Sequence, residues 1–160
     1  MTNRFDQLRQ HLATLPVEAR TPALTTTMQR IIPMLGTLGV VFEVYEAHHC
    51  QLYLPNVAAV QNGWGGIQAG GIYTTAESAM ALVIGANLAD NQVVVAKTVT
   101  IDYRRRAQGG IRATATLTSE GATHIGQTER GELTLTSPIT DETGTEVAHC
   151  QAVWVWMPVR

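Results

Sequence analysis

The chain has 160 residues, and 11 Lys and Arg against 13 Asp and Glu leave a formal charge of −2 at neutral pH. At 45% hydrophobic and 15% charged it has the composition of a chain that folds around a core, which excludes a disordered or strongly solvated segment. The charge balance argues against nucleic acid as a partner, since phosphate binding needs surplus Lys and Arg. No apolar run approaches the roughly 20 residues of a membrane span.

The opening Met1-Thr2-Asn3-Arg4-Phe5-Asp6 lacks the apolar stretch of a secretory signal. Two distant cysteines, Cys50 and Cys150, make no disulfide framework. The expectation is one soluble, cytoplasmic domain over residues 1–160.

Residues 1–36 read as a helical segment. Thr2 or Asn3 can cap a first helix with Phe5, Leu8 and Leu12 at helical spacing, ended by Pro16. Thr21-Pro22 is expected to open a second helix, with Pro at its first position. Leu24, Met28, Ile31, Ile32 and Leu35 form its stripe, Gly36 its stop, and Pro33 a point of kinking or shortening.

The period then changes to two. Val40, Phe42 and Val44 alternate with Val41, Glu43 and Tyr45, and a turn at His48-His49 leads into Gln51-Leu52-Tyr53-Leu54. A glycine-bearing loop follows from Pro55 to Gly66. Ile72, Ala76, Ala79, Met80, Val83, Ile84 and Leu88 then keep helical spacing for more than four turns. Gly70, Gly71, Ala76, Ala79, Ala81, Gly85 and Ala86 make that helix narrow, so other backbone can approach it and it is expected to be buried on most sides.

The remainder reads as strands. Val95, Val99, Ile101 and Tyr103 alternate with Thr98, Thr100 and Asp102, interrupted by Lys97. Ile111, Ala113, Ala115 and Leu117 alternate cleanly after a Gln108-Gly109-Gly110 turn. Leu133 and Leu135 precede an Asp141–Gly144 turn into Val147–Met157. Short turns between successive strands predict an antiparallel meander, and with one long helix an α+β layer architecture.

Glu77 stands out as the only Asp, Glu, Lys or Arg between Glu46 and Asp90, midway along the apolar helix. Burying a carboxylate costs several kcal/mol unless it is paired, hydrogen-bonded or protonated, which makes a role plausible. The plainer reading is a helix position that reaches solvent. Before the helix, Asn62-Gly63-Trp64-Gly65-Gly66-Ile67-Gln68-Ala69-Gly70-Gly71 sets small residues at a helix N-terminus, where free N–H groups suit an anion or a developing oxyanion. It is neither a P-loop nor a dinucleotide fingerprint.

This stretch, Asn62 to Ala81, resembles the signature of hotdog-fold acyl-CoA thioesterases of the phenylacetate-pathway type. That signature is Asn or Gln, six residues before His-Gly-Gly, then Asp or Glu nine residues after the His. Here Asn62, Gln68-Ala69-Gly70 and Glu77 match without a gap, with Gln68 in place of the His and Ala69 in place of the first Gly. Thr100-Ile101-Asp102-Tyr103-Arg104-Arg105-Arg106 is similar to that family's post-helix strand and basic tail.

The resemblance implies a hotdog fold, with the sheet wrapped around the central helix, in a homodimer or homotetramer with sites between subunits. It places Glu77 as nucleophile or general base, Asn62 of the partner subunit on thioester or water, and the Ala69 or Gly70 N–H on the carbonyl. Gln68 can still donate a hydrogen bond. Gly71 belongs to the same turn, Trp64 would line an acyl pocket, and Thr98 would stand in for an assisting hydroxyl. Arg104, Arg105 and Arg106 would hold the phosphates of coenzyme A, or else form a solvated strand end. No metal or organic cofactor is implied.

His48-His49-Cys50 and His149-Cys150 lack the spacing of zinc ligands, and adjacent strand residues point to opposite faces. Ser78 has no nucleophile elbow. Trp154 and Trp156 share a face and read as core or interface packing. Two further readings stay open: a non-catalytic hotdog module that binds an acyl chain or serves in assembly, and a hydratase or dehydratase. The second lacks the His such enzymes use near Asn62–Glu77.

Overall fold

The computed structural model describes residues 3–159. Asn3 caps α1 (Arg4–Ala13), its Oδ1 accepting from Asp6 N–H at 2.9 Å. The alternative cap, Thr2, lies outside the described residues. Helix α2 (Val17–Ile31) starts four residues before the expected Thr21-Pro22, because Pro16 is its N-cap and Pro22 sits inside. So close to the helix start, the missing Pro22 N–H removes only one intrahelical bond. Pro33 divides the segment, opening α3 (Pro33–Leu38) at its first position.

Gly36 is not the stop. It lies within α3, where a Cβ would meet Gln29 O of α2 at 3.1 Å. Gly39, at φ 71°, ends the helix in the left-handed region. Of the expected stripe, Leu24, Met28 and Leu35 are buried, whereas Ile31, last in α2, is exposed.

Six strands form one antiparallel sheet in the order β1-β2-β4-β5-β6-β3. They are β1 (Val41–Tyr45), β2 (His49–Leu54), β3 (Gln92–Tyr103), β4 (Ile111–Thr116), β5 (Gly131–Asp141) and β6 (Glu146–Pro158). A bulge between Phe42 and Val44 reverses the alternation in β1, so Tyr45 turns inward and Val44 does not. Cys50, Leu52 and Leu54 face the core from β2, and Ile111, Ala113, Ala115 and Leu117 from β4 and just beyond it.

A second bulge, between Ala96 and Thr98, makes Lys97 the extra residue of β3. Val95 and Val99 therefore do not share a face as strict alternation predicted: Val95 is exposed, while Val94, Val99 and Ile101 pack toward the core. The simple meander is also corrected. β3 pairs only with β6 at the far edge, and β4 pairs with β2 and β5. Between β4 and β5 the chain forms α5 (Ser119–Gln127), capped by Thr118 Oγ1 on Gly121 N–H at 3.0 Å.

The sheet curves around α4 (Ala69–Gly85), which packs against β2, β4 and β5 and, less extensively, β3 and β6. Ile72, Ala76, Ala79, Met80, Val83 and Ile84 are buried there, as their spacing predicted. Small residues set the approach: a Cβ on Gly71 would meet Leu54 at 3.2 Å. Trp154 and Trp156 are core residues, 1% exposed. A sheet wrapped around one central helix is the hotdog fold.

Candidate functional site

The sheet leaves one stripe of α4 uncovered: Gly70, Tyr73, Thr74, Glu77, Ala81 and Gly85, none fully buried and all at helical spacing. Glu77 is thus neither solvated nor enclosed. It lines a cleft of about 440 Å³ with Phe5 of α1, Ser78, Ala81 and Gly85 of α4, and Val94 of β3. Desolvation raises the Glu77 carboxyl above its usual range, opposed by a long hydrogen bond from Ser78 Oγ at 3.4 Å. Burial, then the Glu77 charge, pushes the Cys150 thiol on the facing β6 up to about 11. Tyr73 is raised by the same two causes.

The glycine loop is organised by Asn62. Its Oδ1 accepts from Trp64 N–H at 2.9 Å and Gly66 N–H at 3.3 Å, and its own N–H donates to Gly66 O at 2.8 Å. Asn62 is not among the residues lining the cleft with Glu77. Trp64, at the tip, is 82% exposed.

Gln68 is the N-cap of α4, and its Oε1 accepts from Gly70 N–H. Gly71 N–H donates to Gln68 O at 2.9 Å. Ala69 N–H has no hydrogen-bond partner among the described residues, which leaves it the open donor at the helix start. Tyr103 Oη donates to Ala69 O at 2.9 Å and ties the end of β3 to that start.

Thr98 faces away from α4. It lies on the sheet's outer surface opposite Val153, beside Thr100, Asp102, His149 and Gln151, on the face away from Val99 and Ile101. The three arginines divide. Arg104 pairs with Asp102 at 3.0 Å and Glu146 at 2.6 Å. Arg106 donates to Trp64 O, against the glycine loop. Arg105 is exposed and in no ion pair among the described residues.

Sequence reasoning missed Tyr73, Tyr103 and Phe5. Tyr73 could have been found, since it stands one helical turn before Glu77 on the same face. Phe5 could not, because α1 meets α4 only in three dimensions. Among the described residues no group of three or more His, Cys, Asp or Glu side chains could hold a metal ion. Nor is any described helix long and apolar enough to cross a membrane.

Comparison with known proteins places this geometry in a group. A Pseudomonas aeruginosa protein of unknown function, described as "Probable Thioesterase", is 27% identical over 91% of this chain and 97% of its own, with a TM-score of 0.76. A Haemophilus influenzae thioesterase is 13% identical over 84% and 90%, with a TM-score of 0.71. A Staphylococcus aureus thioesterase enzyme with one glutamine replaced by alanine is 17% identical over 79% and 99%, with a TM-score of 0.67. No curated protein matches. One family model spans residues 20–157, and the chain accordingly belongs to the family described as Domain of unknown function, DUF4442.

Proposed function

We propose that the protein is an acyl-CoA thioesterase working as a homodimer or a pair of dimers. The observation that carries this reading is the desolvated Glu77 carboxylate on the one stripe of α4 that its own sheet leaves open. A carboxylate withdrawn from water is a stronger base, and a thioester is activated enough to need no metal or organic cofactor. Glu77 takes a proton from water as the oxygen bonds to the thioester carbon. The tetrahedral oxyanion then collapses, the C–S bond breaks, and the proton passes to the thiolate, giving free acid and coenzyme A. A direct attack by the Glu77 carboxylate, followed by hydrolysis of the anhydride, has the same overall balance.

The case for a second copy is distance. Within one chain Gly70 and Glu77 lie seven residues apart, about 10 Å along the helix. The lean of Glu77 toward the N-terminus closes only part of that gap. That separation supports a reading in which the Ala69 N–H and Asn62 that meet a carbonyl at Glu77 come from a partner seated on the open stripe. In the Staphylococcus aureus protein alanine has been placed at a glutamine and, separately, at a glutamate fifteen positions later; Asn62 and Glu77 stand fifteen apart here. Arg106, against the glycine loop, and exposed Arg105 suit the coenzyme A phosphates, and exposed Trp64 at the loop tip suits the acyl-CoA. Thr98, on the outer surface, is left without a role at the carbonyl.

One observation favours a non-catalytic acyl-binding or assembly module: Gln68 Oε1 occupies the Gly70 N–H, which leaves the Ala69 N–H as the single free donor at the helix start among the described residues. The two are separated by an acyl-CoA panel with free-thiol release as readout. Glu77→Gln should lower kcat about 100-fold or more, the scale of a lost general base. Hydrolysis at equal rates by variant and wild type would remove Glu77 from catalysis, and no thiol release from any acyl-CoA by wild type would leave the non-catalytic reading.

A further inference from the structure

We propose that the cleft beside Glu77 receives a straight, medium-length acyl chain, and that Phe5 of α1, packed against Gly85, sets the accepted length. The inference rests on the thioesterase reading and deepens it by naming the substrate class.

Three observations support it. First, the cleft runs from Glu77 along Ala81 to Gly85, where α4 presents the smallest side chains to the open side. Ile32, Leu82, Leu88 and Val94 give it apolar wall away from the carboxylate, with Arg4, Asp90 and Gln92 at the end past Gly85. Second, α1 crosses the cleft at Gly85. A Cβ on Gly85 would stand 3.6 Å from the Phe5 ring, and Arg4 N–H donates to Asp90 Oδ1 at 3.0 Å. Third, that crossing is fixed. Asn3 Nδ2 donates to Ala86 O and Leu88 O, both at 2.9 Å, which staples the start of α1 to the end of α4.

Length follows from geometry. Eight residues separate Glu77 from Gly85, about 12 Å at the helical rise. An extended chain advances about 1.25 Å per carbon for bonds of about 1.5 Å, so roughly eight to ten carbons fit. A slot that runs lengthwise between a helix and the edge strand β3 suits a linear chain.

The experiment is kcat/KM for butyryl- to hexadecanoyl-CoA with wild type, Phe5→Ala, Gly85→Leu and Glu77→Gln. Wild type should peak near octanoyl- or decanoyl-CoA. Phe5→Ala should move the peak to longer chains. Gly85→Leu should cut the decanoyl-to-butyryl ratio at least tenfold, since each excluded methylene is worth roughly fourfold. Because these are ratios moving in opposite directions, general loss of fold cannot imitate them. If Glu77→Gln is inactive while both pocket variants keep the wild-type length profile, the pocket assignment fails and the hydrolytic reading stands. If Glu77→Gln matches wild type, the catalytic role of Glu77 fails first. A wild type most active on acetyl-CoA or on an aromatic acyl group would also overturn the assignment.

Discussion

Replacing Asn3 tests how firmly the amino-terminal helix is seated on the site. Its side chain makes three hydrogen bonds, all at 2.9 Å: Oδ1 accepts from Asp6 N–H, and Nδ2 donates to the buried Ala86 and Leu88 carbonyls. Asn3→Ala removes a cap worth about 1 kcal/mol. It also leaves two carbonyls without their partner, at about 1 kcal/mol each. The total, about 3 kcal/mol, should lower Tm by about 6–12 °C for a chain of this length.

Asn3→Asp separates the two contributions. It keeps the cap but sets a carboxylate against two carbonyl oxygens, so it should be no more stable than Asn3→Ala at pH 7. It should recover in acid, where a protonated carboxyl can donate. Thermal melts at pH 4 and pH 7 read both. An Asn3→Asp protein as stable as wild type at pH 7 would show that the carbonyl bonds contribute nothing and that α1 rests on α4 by side-chain packing alone.

Further outcomes follow from other parts of the structure. A Cβ on Gly131 would lie 2.2 Å from Cζ2 of the fully buried Trp156, so Gly131→Ala should lose about 2–3 kcal/mol in urea unfolding; a neutral result would show that the indole can shift. Burial raises the folded-state pKa of Glu77 above its ordinary 4.5, so its stabilising contribution is complete below 4.5 and lost as pH rises through the folded value. Glu77→Gln should therefore melt higher than wild type at neutral pH and equal to it at pH 4; the opposite order would mean that the carboxylate is well paired. Burial pushes up both thiols, Cys150 to about 11 and Cys50 further, so neither should react with a thiol reagent at pH 8 until the protein unfolds.

Much of the fold was legible because its longest elements have clean periods. The central helix repeats small and apolar residues over its whole length, and Ile111 to Leu117 alternates without a break. The misreadings have local physical causes. Pro22 looked like a helix start because proline is favoured there, yet Pro16 had already turned the chain. Lys97 looked like an interruption and is a bulge residue. Helix α5 was overlooked because Ser119–Gln127 carries Ile125 as its one large apolar residue, with two glycines, so its cap at Thr118 was the only firm sign.

At the site, the solitary charge on an apolar helix marked Glu77, and a helix start after glycines marked the donors. The side-chain bond from Gln68 to Gly70 could not be read, because it depends on a rotamer. Nor could the packing of Phe5 against Gly85, which depends on how α1 folds back over α4.

The central claim is that Glu77 of one subunit and Asn62 of the other serve the same thioester. Co-purified heterodimers of a Glu77→Gln chain with an Asn62→Ala chain measure this directly. Each parent homodimer should be nearly inactive on decanoyl-CoA. The mixed dimer holds one intact site of two, and by the symmetry of the interface it should recover about half of wild-type kcat. Activity of the mixed dimer no higher than that of either parent would contradict a site shared between subunits.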